Sequence, residues 1–252
     1  EDRVRHLYVI GQTGTGKSKF LQNMIIQDIK NGEGLCFIDP HGADLQQILT
    51  HIPKERIDDV VYFDPGDLSR PVGLNMLEYD IAHPEQKTLV VNEMFAIFNK
   101  LFDMKVAGGP AFEQYFRNSA LLVMEDPESG STLLEVSRVL SDTEFRHMKL
   151  SKCKNPLIKQ FFQNAEATSG EQGFENFVPY ITNKFDNFLS SEFLRPIIAQ
   201  EKSTINFKEI MEQKKILLVN LSKGKLGELG SYLIGLIIVG KIMVNTFSRD
   251  PK

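Results

Sequence analysis

The residues best suited to chemistry lie near the amino end, in the segment Gly-Gln-Thr-Gly-Thr-Gly-Lys-Ser at positions 11–18. This segment matches the pattern G-x-x-x-x-G-K-[ST], whose glycines let the backbone curve so that successive N–H groups point at phosphate oxygens. A short apolar run at 7–10 precedes it, and apolar residues at helical spacing follow it. A helix that begins near Lys17 would add the positive end of its dipole to the same place. The segment therefore predicts a binding site for a nucleoside triphosphate.

The same pattern predicts what each fixed position does. Lys17 is expected to reach the β- and γ-phosphates, and the hydroxyl group of Ser18 is expected to ligate Mg²⁺. Gly11, Gly14 and Gly16 are expected to shape the backbone around the anion. The alternative, a glycine-rich turn that binds nothing, does not explain why an apolar run and a helical pattern flank the segment.

Composition is that of an ordinary globular protein. Of the 252 residues, 42% are hydrophobic and 25% are charged, and the formal net charge is -4. This balance gives no overall basic footprint, so composition alone does not indicate nucleic acid. Two cysteines far apart in sequence, Cys36 and Cys153, favour a reducing compartment. The most apolar stretch, 232–244, contains Lys241 and is too short to span a membrane, so we expect a buried core helix and no membrane segment.

Hydrophobic periodicity divides the chain into an alternating part and a helical part. Strands are predicted at 7–10, 35–38, 60–63 and 215–221, with helices after the first two. From Pro84 onward, apolar residues recur at helical spacing and no strand is predicted before Ile216. Strands that alternate with helices indicate a parallel sheet. We therefore expect an α/β fold, with a P-loop NTPase core at 1–83 and 214–252 and an all-α domain inserted at 84–213.

Two short strings offer a GTPase alternative. Asp-Pro-His-Gly at 39–42 matches D-x-x-G, and Asn-Lys-Phe-Asp at 183–186 matches the guanine-binding N-K-x-D. However, the segment of about twenty residues between Lys17 and Asp39 holds one helix and one strand, with no room for a switch segment. Asn183 also lies within a helical pattern, whereas N-K-x-D must follow a strand. The context of both strings therefore argues against this alternative.

Longer strings resemble the conjugative DNA-transfer ATPases, the coupling proteins of type IV secretion in the HerA–FtsK superfamily of DNA pumps. The resemblance is carried, in order, by His-Leu-Tyr-Val-Ile-Gly-Gln-Thr-Gly-Thr-Gly-Lys-Ser at 6–18, Gly-Leu-Cys-Phe-Ile-Asp-Pro-His-Gly at 34–42, shorter strings at 52–53, 55–60, 62–65 and 73–75, and Ile-Leu-Leu-Val-Asn-Leu-Ser-Lys-Gly-Lys-Leu-Gly at 216–227. It covers essentially the whole chain. It implies a RecA-like motor core whose helical insertion corresponds to the all-α domain of such proteins.

The resemblance also implies a function. It implies a hexameric ring that binds ATP and Mg²⁺, hydrolyses ATP and moves DNA, expected to be single-stranded, towards a secretion channel. A channel component or a relaxase would be a further partner, and the location would be cytoplasmic, at the inner face of the membrane. Carried over residue by residue, it assigns phosphate and Mg²⁺ binding to Gly11, Gly14, Gly16, Lys17 and Ser18, with backbone N–H groups from Thr13 and Thr15.

Further positions are each open to two interpretations. Asp39 ends a predicted strand, where a carboxylate can orient water or ligands of Mg²⁺ and thus act in catalysis, but Asp-Pro is also a common start of a turn. His41 is either part of this site or a solvated turn residue. The Ser-Lys-Gly-Lys segment at 222–225 either contacts DNA phosphates or is a solvated turn. Arg249 is either a finger that completes a neighbour's site or a surface arginine.

The sequence departs from the family in one respect. The second essential motif, an apolar strand that ends in Asp-Glu, is missing, and the similar string Leu-Leu-Val-Met-Glu-Asp at 121–126 has the acidic pair reversed at the end of a predicted helix. The chain begins with Glu1 and ends in a loop-like segment, so we expect a piece of a longer protein that stops before that strand. We expect the parent to be an ATPase and this chain to bind nucleotide but hydrolyse it poorly. The alternative is a non-catalytic, nucleotide-gated assembly or docking module.

Overall fold

The computed structural model describes residues 5–102, 109–168 and 174–247. The chain forms two compact units. The sheet unit comprises Glu1–Asp64 with Lys208–Ser222, and the helical unit comprises Pro65–Phe207 with Lys223–Lys252. The boundaries expected after residues 83 and 213 remain predictions, because compactness in one structure does not test which segments fold independently.

The elements alternate at first and then become entirely helical up to the last strand. In chain order they are α1 (Lys17–Lys30), β1 (Leu35–Asp39), α2 (Ala43–Leu49), a 3₁₀ helix (Lys54–Asp59), β2 (Val60–Phe63), α3 (Gln86–Phe102), α4 (Gly109–Glu125), a 3₁₀ turn (Pro127–Ser129), α5 (Leu133–Ser141), α6 (Thr143–Lys152), α7 (Pro156–Ala167), α8 (Phe174–Leu189), α9 (Arg195–Ile198), α10 (Phe207–Glu212), β3 (Ile216–Asn220) and α11 (Lys223–Phe247).

The sheet has three parallel strands in the order β1-β3-β2. Asp39, the last residue of β1, lies opposite Asn220, the last residue of β3. The four residues from Ile216 to Val219 are all buried, which is typical of the apolar central strand of a parallel sheet. The strands expected at 35–38, 60–63 and 215–221 and their parallel arrangement are therefore confirmed.

Helices α1 and α2 pack against this sheet. Ile29 of α1 and Leu45 and Ile48 of α2 form a buried cluster with Ile216 and Leu218 of β3. These apolar positions recur at helical spacing in α1 and α2 and at alternate positions in β3, so each element contributes one face to the cluster. The cluster thereby fixes helix α1, which carries Lys17 and Ser18, on the sheet.

The strand expected at 7–10 is wrong. This segment has no regular secondary structure, and Leu7, Tyr8 and Ile10 are 58%, 87% and 80% exposed. A strand depends on backbone hydrogen bonds to a neighbouring strand. Within the described residues, the three-stranded sheet ends at β1 on one side and β2 on the other, and neither pairs with this segment. Its apolar composition indicated a preference for burial but not a pairing partner.

Phenylalanine side chains form the core of the helical unit. The ring of Phe98 on α3 lies 5.4 Å from that of Phe116 on α4 and 5.2 Å from that of Phe185 on α8, measured between centroids. All three side chains are buried, so the helical phenylalanine pattern predicted core positions correctly. The described residues between Pro84 and Ile216 form no strand, as expected.

Helix α11 is longer than the stretch expected from sequence. It is kinked at Gly227, and its part Leu226–Phe247, with a mean hydropathy of 1.6, is long and apolar enough to cross a membrane by length and composition alone. The core helix of a soluble protein passes the same test, and 44% of the most apolar window is buried here. Within the helical unit, Lys241 Nζ donates to the backbone oxygen of Glu78 (3.2 Å), and burial lowers the pKa of Lys241 to about 8.

A buried lysine holds the end of α4 to the following turn. Lys149 is 0% exposed, and its Nζ donates to the backbone oxygens of Val123 (3.4 Å), Asp126 (2.8 Å) and Gly130 (2.5 Å). Burial lowers the pKa of Lys149 to about 8, which leaves most of the ammonium groups charged at pH 7. The ammonium thus donates to a carbonyl group of the last turn of α4, at Val123, and to two carbonyl groups of the turn that follows.

We expect Lys149→Met to lower the free energy of unfolding by about 2–4 kcal/mol, measured by urea denaturation, because the buried contacts to the carbonyl groups of Val123 and Gly130 are lost. Lys152→Met is the control. Lys152 pairs with Asp126 at 2.7 Å, but its side chain is half exposed, so we expect a loss of less than about 1 kcal/mol. Equal losses for the two variants would contradict this role of Lys149.

Candidate functional site

The loop before α1 is closed by the first side chain of that helix. Lys17 Nζ donates to the backbone oxygens of Gly11 (2.7 Å) and Gln12 (2.8 Å). Thr15 Oγ1 also donates to the backbone oxygen of Gln12 (2.8 Å). Two adjacent carbonyl groups therefore accept three hydrogen bonds from these two side chains, which draws the loop around the ammonium group.

The glycines of this loop are needed for two different reasons. Gly14 and Gly16 have φ angles of 85° and 90°, in the left-handed region that favours glycine. Gly11 is needed for close approach, because a Cβ atom there would lie 2.6 Å from Thr15 Oγ1. Gly16 begins α1 without a side-chain cap, so the first N–H groups of the helix have no acceptor within the helix or from a cap. These donors and the Lys17 ammonium fit a polyphosphate.

The loop lies at the carboxyl edge of the sheet. Helix α1 ends at Lys30, shortly before β1 begins, and packs along it, so α1 runs antiparallel to β1 and begins near the end of β1. Two side-chain contacts confirm this placement. Gln22 Nε2 donates to Asp44 Oδ1 (2.6 Å), and Lys19 donates to Gln47, both joining α1 to the helix that follows β1. Open α/β sheets bind ligands at this edge.

Asp39 occupies this edge as expected, but its carboxylate is engaged by backbone. Asp39 is 2% exposed. Oδ1 accepts the N–H of His41 (2.8 Å), and Oδ2 accepts those of Asp44 (2.9 Å) and Leu45 (3.3 Å). The carboxylate thus holds the turn and caps α2, which favours the structural interpretation. His41 is exposed in the same turn. Catalytic roles for Asp39 and His41 remain predictions.

Asn220 is a residue of this edge that sequence reasoning missed. Its Nδ2 donates to Asp64 Oδ2 (3.3 Å) and to the Tyr62 hydroxyl group (3.4 Å), and its Oδ1 accepts the N–H of Ser222 (3.0 Å). A polar residue at the end of a buried strand was the available signal, and the same argument had selected Asp39.

The remaining expected site residues are placed as follows. Thr13 and Ser18 are exposed, and Ser18 is the second residue of α1. Lys223 Nζ lies 2.9 Å from Glu228 Oε1 and 5.1 Å from the centre of the Tyr232 ring, while contact with DNA remains a prediction. The side chain of Lys225 and all of Arg249 lie outside the described residues. Within the described residues, no group of three or more His, Cys, Asp and Glu residues could hold a metal ion.

The structure contradicts a guanine-binding role for residues 183–186. They lie in the middle of α8, in the helical unit, and the side chain of Phe185 is buried in its core. The backbone N–H of Ser190 donates to the backbone oxygen of Asp186, as in a continuous helix, and the side-chain Nδ2 of Asn187 donates to the backbone oxygen of Asn183. A loop after a strand, which N-K-x-D requires, is absent at this position.

Comparison with known proteins finds a likeness among solved structures. No protein-family model matches this chain, and no curated protein matches it. Among solved structures, the chain is similar to the bacterial conjugative coupling protein TrwBdeltaN70 in its unbound monoclinic form, with a TM-score of 0.52 and 14% sequence identity. The match covers 96% of this chain and 51% of that chain, so this chain spans about half the length of that protein.

This likeness shows a shared fold alone. It agrees at a coarse level with the α/β fold expected from the sequence, here a helix-rich chain with a small parallel sheet. It also supports the resemblance to coupling proteins at the level of the fold. Activity, partners and assembly do not follow from a fold at this identity.

We expect Asp39→Ala to lower the free energy of unfolding by about 1–3 kcal/mol in urea denaturation, because three backbone N–H groups lose their acceptor. Asp58→Ala, at an exposed position of the same unit, is the control and should change stability by less than about 0.5 kcal/mol. Asp39→Ala with unchanged stability but no ATP turnover would assign Asp39 to catalysis instead.

Proposed function

We propose that this chain is the ATP-binding motor part of a DNA-translocating ATPase that couples DNA transfer to conjugation or type IV secretion. The observation that carries the proposal is the loop closed by Lys17 at the carboxyl edge of the sheet. The fold supports it, because the similar solved structure is a bacterial conjugative coupling protein. The sequence strings that resemble coupling proteins lead to the same class independently.

The residues of the loop suit ATP with Mg²⁺. Lys17 would exchange two neutral carbonyl acceptors for phosphate oxygens, which are stronger acceptors of a charged donor. Backbone N–H groups between Thr13 and Lys17 would donate to the same phosphates, and the Ser18 hydroxyl group would ligate the ion. The ion would neutralise phosphate charge.

Hydrolysis by this chain is proposed to be slow. The sequence lacks a strand that ends in Asp-Glu, and the carboxylate of Asp39 already accepts three backbone N–H groups. A hexameric ring, single-stranded DNA, a channel component or relaxase as partner, and a place at the cytoplasmic face of the membrane belong to the proposal for the parent protein. The second candidate, a nucleotide-gated docking module, is favoured by the same engagement of the Asp39 carboxylate by backbone.

We expect Lys17→Ala to weaken binding of ATP with Mg²⁺ by at least about 50-fold in isothermal titration calorimetry, because a charged donor to phosphate is lost. Lys19→Ala is the matched control. The Lys19 side chain is turned towards Gln22 and Gln47, so binding should change by less than about threefold. GTP should bind no more tightly than ATP. Failure of the folded chain to bind ATP would overturn the proposal.

Turnover of ATP with and without single-stranded DNA separates the two candidates. A motor part should show slow turnover that DNA accelerates, since translocation couples the two ligands. Tight ATP binding with turnover that DNA leaves unchanged would support the docking module and contradict the motor.

A further inference from the structure

Two of the three chain connections between the units leave the sheet unit at one edge. The chain passes from Asp64 to Pro65 directly after β2 and from Ser222 to Lys223 shortly after β3. Strands β2 and β3 are parallel neighbours, so both connections begin at the carboxyl edge. This is also the edge at which the phosphate-binding loop lies. The third connection, at Phe207–Lys208, precedes β3.

One carboxamide joins the two departing segments. Asn220 Nδ2 donates to the carboxylate of Asp64, and Asn220 Oδ1 accepts the backbone N–H of Ser222. Asp64 and Ser222 are the last residues of the sheet unit before each connection. The side chain of Asn220, at the end of the central strand β3, therefore contacts the last residue before each connection. Its amide group donates to Asp64, and its carbonyl oxygen accepts from Ser222.

The same side chain touches the turn after β1. Gly42 has a φ angle of 79°, and a Cβ atom there would lie 2.7 Å from Asn220 Oδ1. Gly42 is the residue before α2. Asp44 in the first turn of α2 accepts a hydrogen bond from Gln22 of α1, the helix that follows the phosphate-binding loop. Contacts within one unit thus run from α1 through the start of α2 to Asn220. Each step is a packed or hydrogen-bonded contact between neighbouring elements.

We propose that Asn220 is a positioning residue that fastens the two connections at 64–65 and 222–223 and makes them respond to nucleotide in the phosphate-binding loop. The response of the connections to nucleotide rests on the proposed function, whereas their fastening by Asn220 does not. Asn220 contacts no phosphate in this proposal. It acts through Asp64, Ser222 and the turn at Gly42.

Exchanging the hydrogen-bond donor of Asn220 and the acceptor of Asp64 tests whether this contact fastens the two connections. Asn220→Asp keeps the size and the acceptor for Ser222 but sets a carboxylate against Asp64, so we expect amide hydrogen exchange to rise at least about fivefold in peptides covering 60–70 and 218–226. Asp64→Asn keeps an acceptor for the Asn220 amide group, so exchange in these peptides should stay within about twofold of that in the unaltered chain. The double variant restores opposite partners and should return exchange to the original rate. Lack of rescue by the double variant would overturn the proposal.

A second pair of variants avoids the charge change. Gly42→Ala and Gly32→Ala both replace a glycine with a φ angle of 79°, but only the first would press on Asn220, since nothing lies within 4 Å of a Cβ atom at Gly32. We expect only Gly42→Ala to raise exchange at the two connections by more than about threefold. Equal local effects of the two variants would contradict the proposal.

The response is measured with a slowly hydrolysed ATP analogue and Mg²⁺. We expect the analogue to slow exchange at both connections in the unaltered chain, and Asn220→Asp to bind it within about threefold while losing this slowing. Recovery of the slowing in the double variant would support positioning over a general loss of stability. Slowing that persists in Asn220→Asp would overturn the response. If the unaltered chain does not bind the analogue, the proposed function fails, and the exchange without nucleotide still decides the fastening.

Discussion

The candidate phosphate-binding site depends on how one ammonium group is held in an exposed loop. Lys17 reaches back to the carbonyl groups of Gly11 and Gln12, and it can do so only because Gly14 and Gly16 take left-handed backbone angles. Neutral carbonyl groups are weaker partners for a cation than phosphate oxygens. A bound anion could therefore replace the two carbonyl groups as the partner of the Lys17 ammonium group without a change in the loop backbone. Helix α1 fixes this arrangement because its other end is anchored in the core through Ile29.

The carboxyl edge of the sheet satisfies its own polar groups. Strand ends leave backbone N–H groups that must find partners. Asp39 accepts three of them after β1, and Asn220 accepts one after β3. The backbone oxygen of Asp39 in turn accepts the N–H of Leu221, which ties the two strand ends together. Asp39, the residue of this edge that looks most like a catalytic group in the sequence, is thus one that the fold needs there.

The success and failure of sequence reasoning follow from the range of the interactions. The loop and the strands β1, β2 and β3 were predictable because glycine sterics and hydrophobic periodicity act over a few residues. The segment 7–10 has the same apolar, strand-like pattern, but this pattern does not determine whether a neighbouring strand is present for it to pair with. The contacts of Asn220 with Tyr62 and Asp64 span 158 and 156 residues, so no spacing rule could find them. Burial of Lys149 was equally hidden, because charge alone predicts exposure.

Binding and hydrolysis make different demands on this fold. Phosphate binding needs backbone N–H groups and one cation, which a loop and the start of a helix supply locally. Hydrolysis also needs a carboxylate with a lone pair free for water. Within the described part of the sheet unit, Asp39 is engaged by backbone, Asp44 by Gln22 and Asp64 by Asn220. A carboxylate of this edge that served as a base would therefore also carry a contact that holds the edge together. Binding of a triphosphate would draw on none of these three carboxylates, whereas cleavage would need one of them or another carboxylate in that second role.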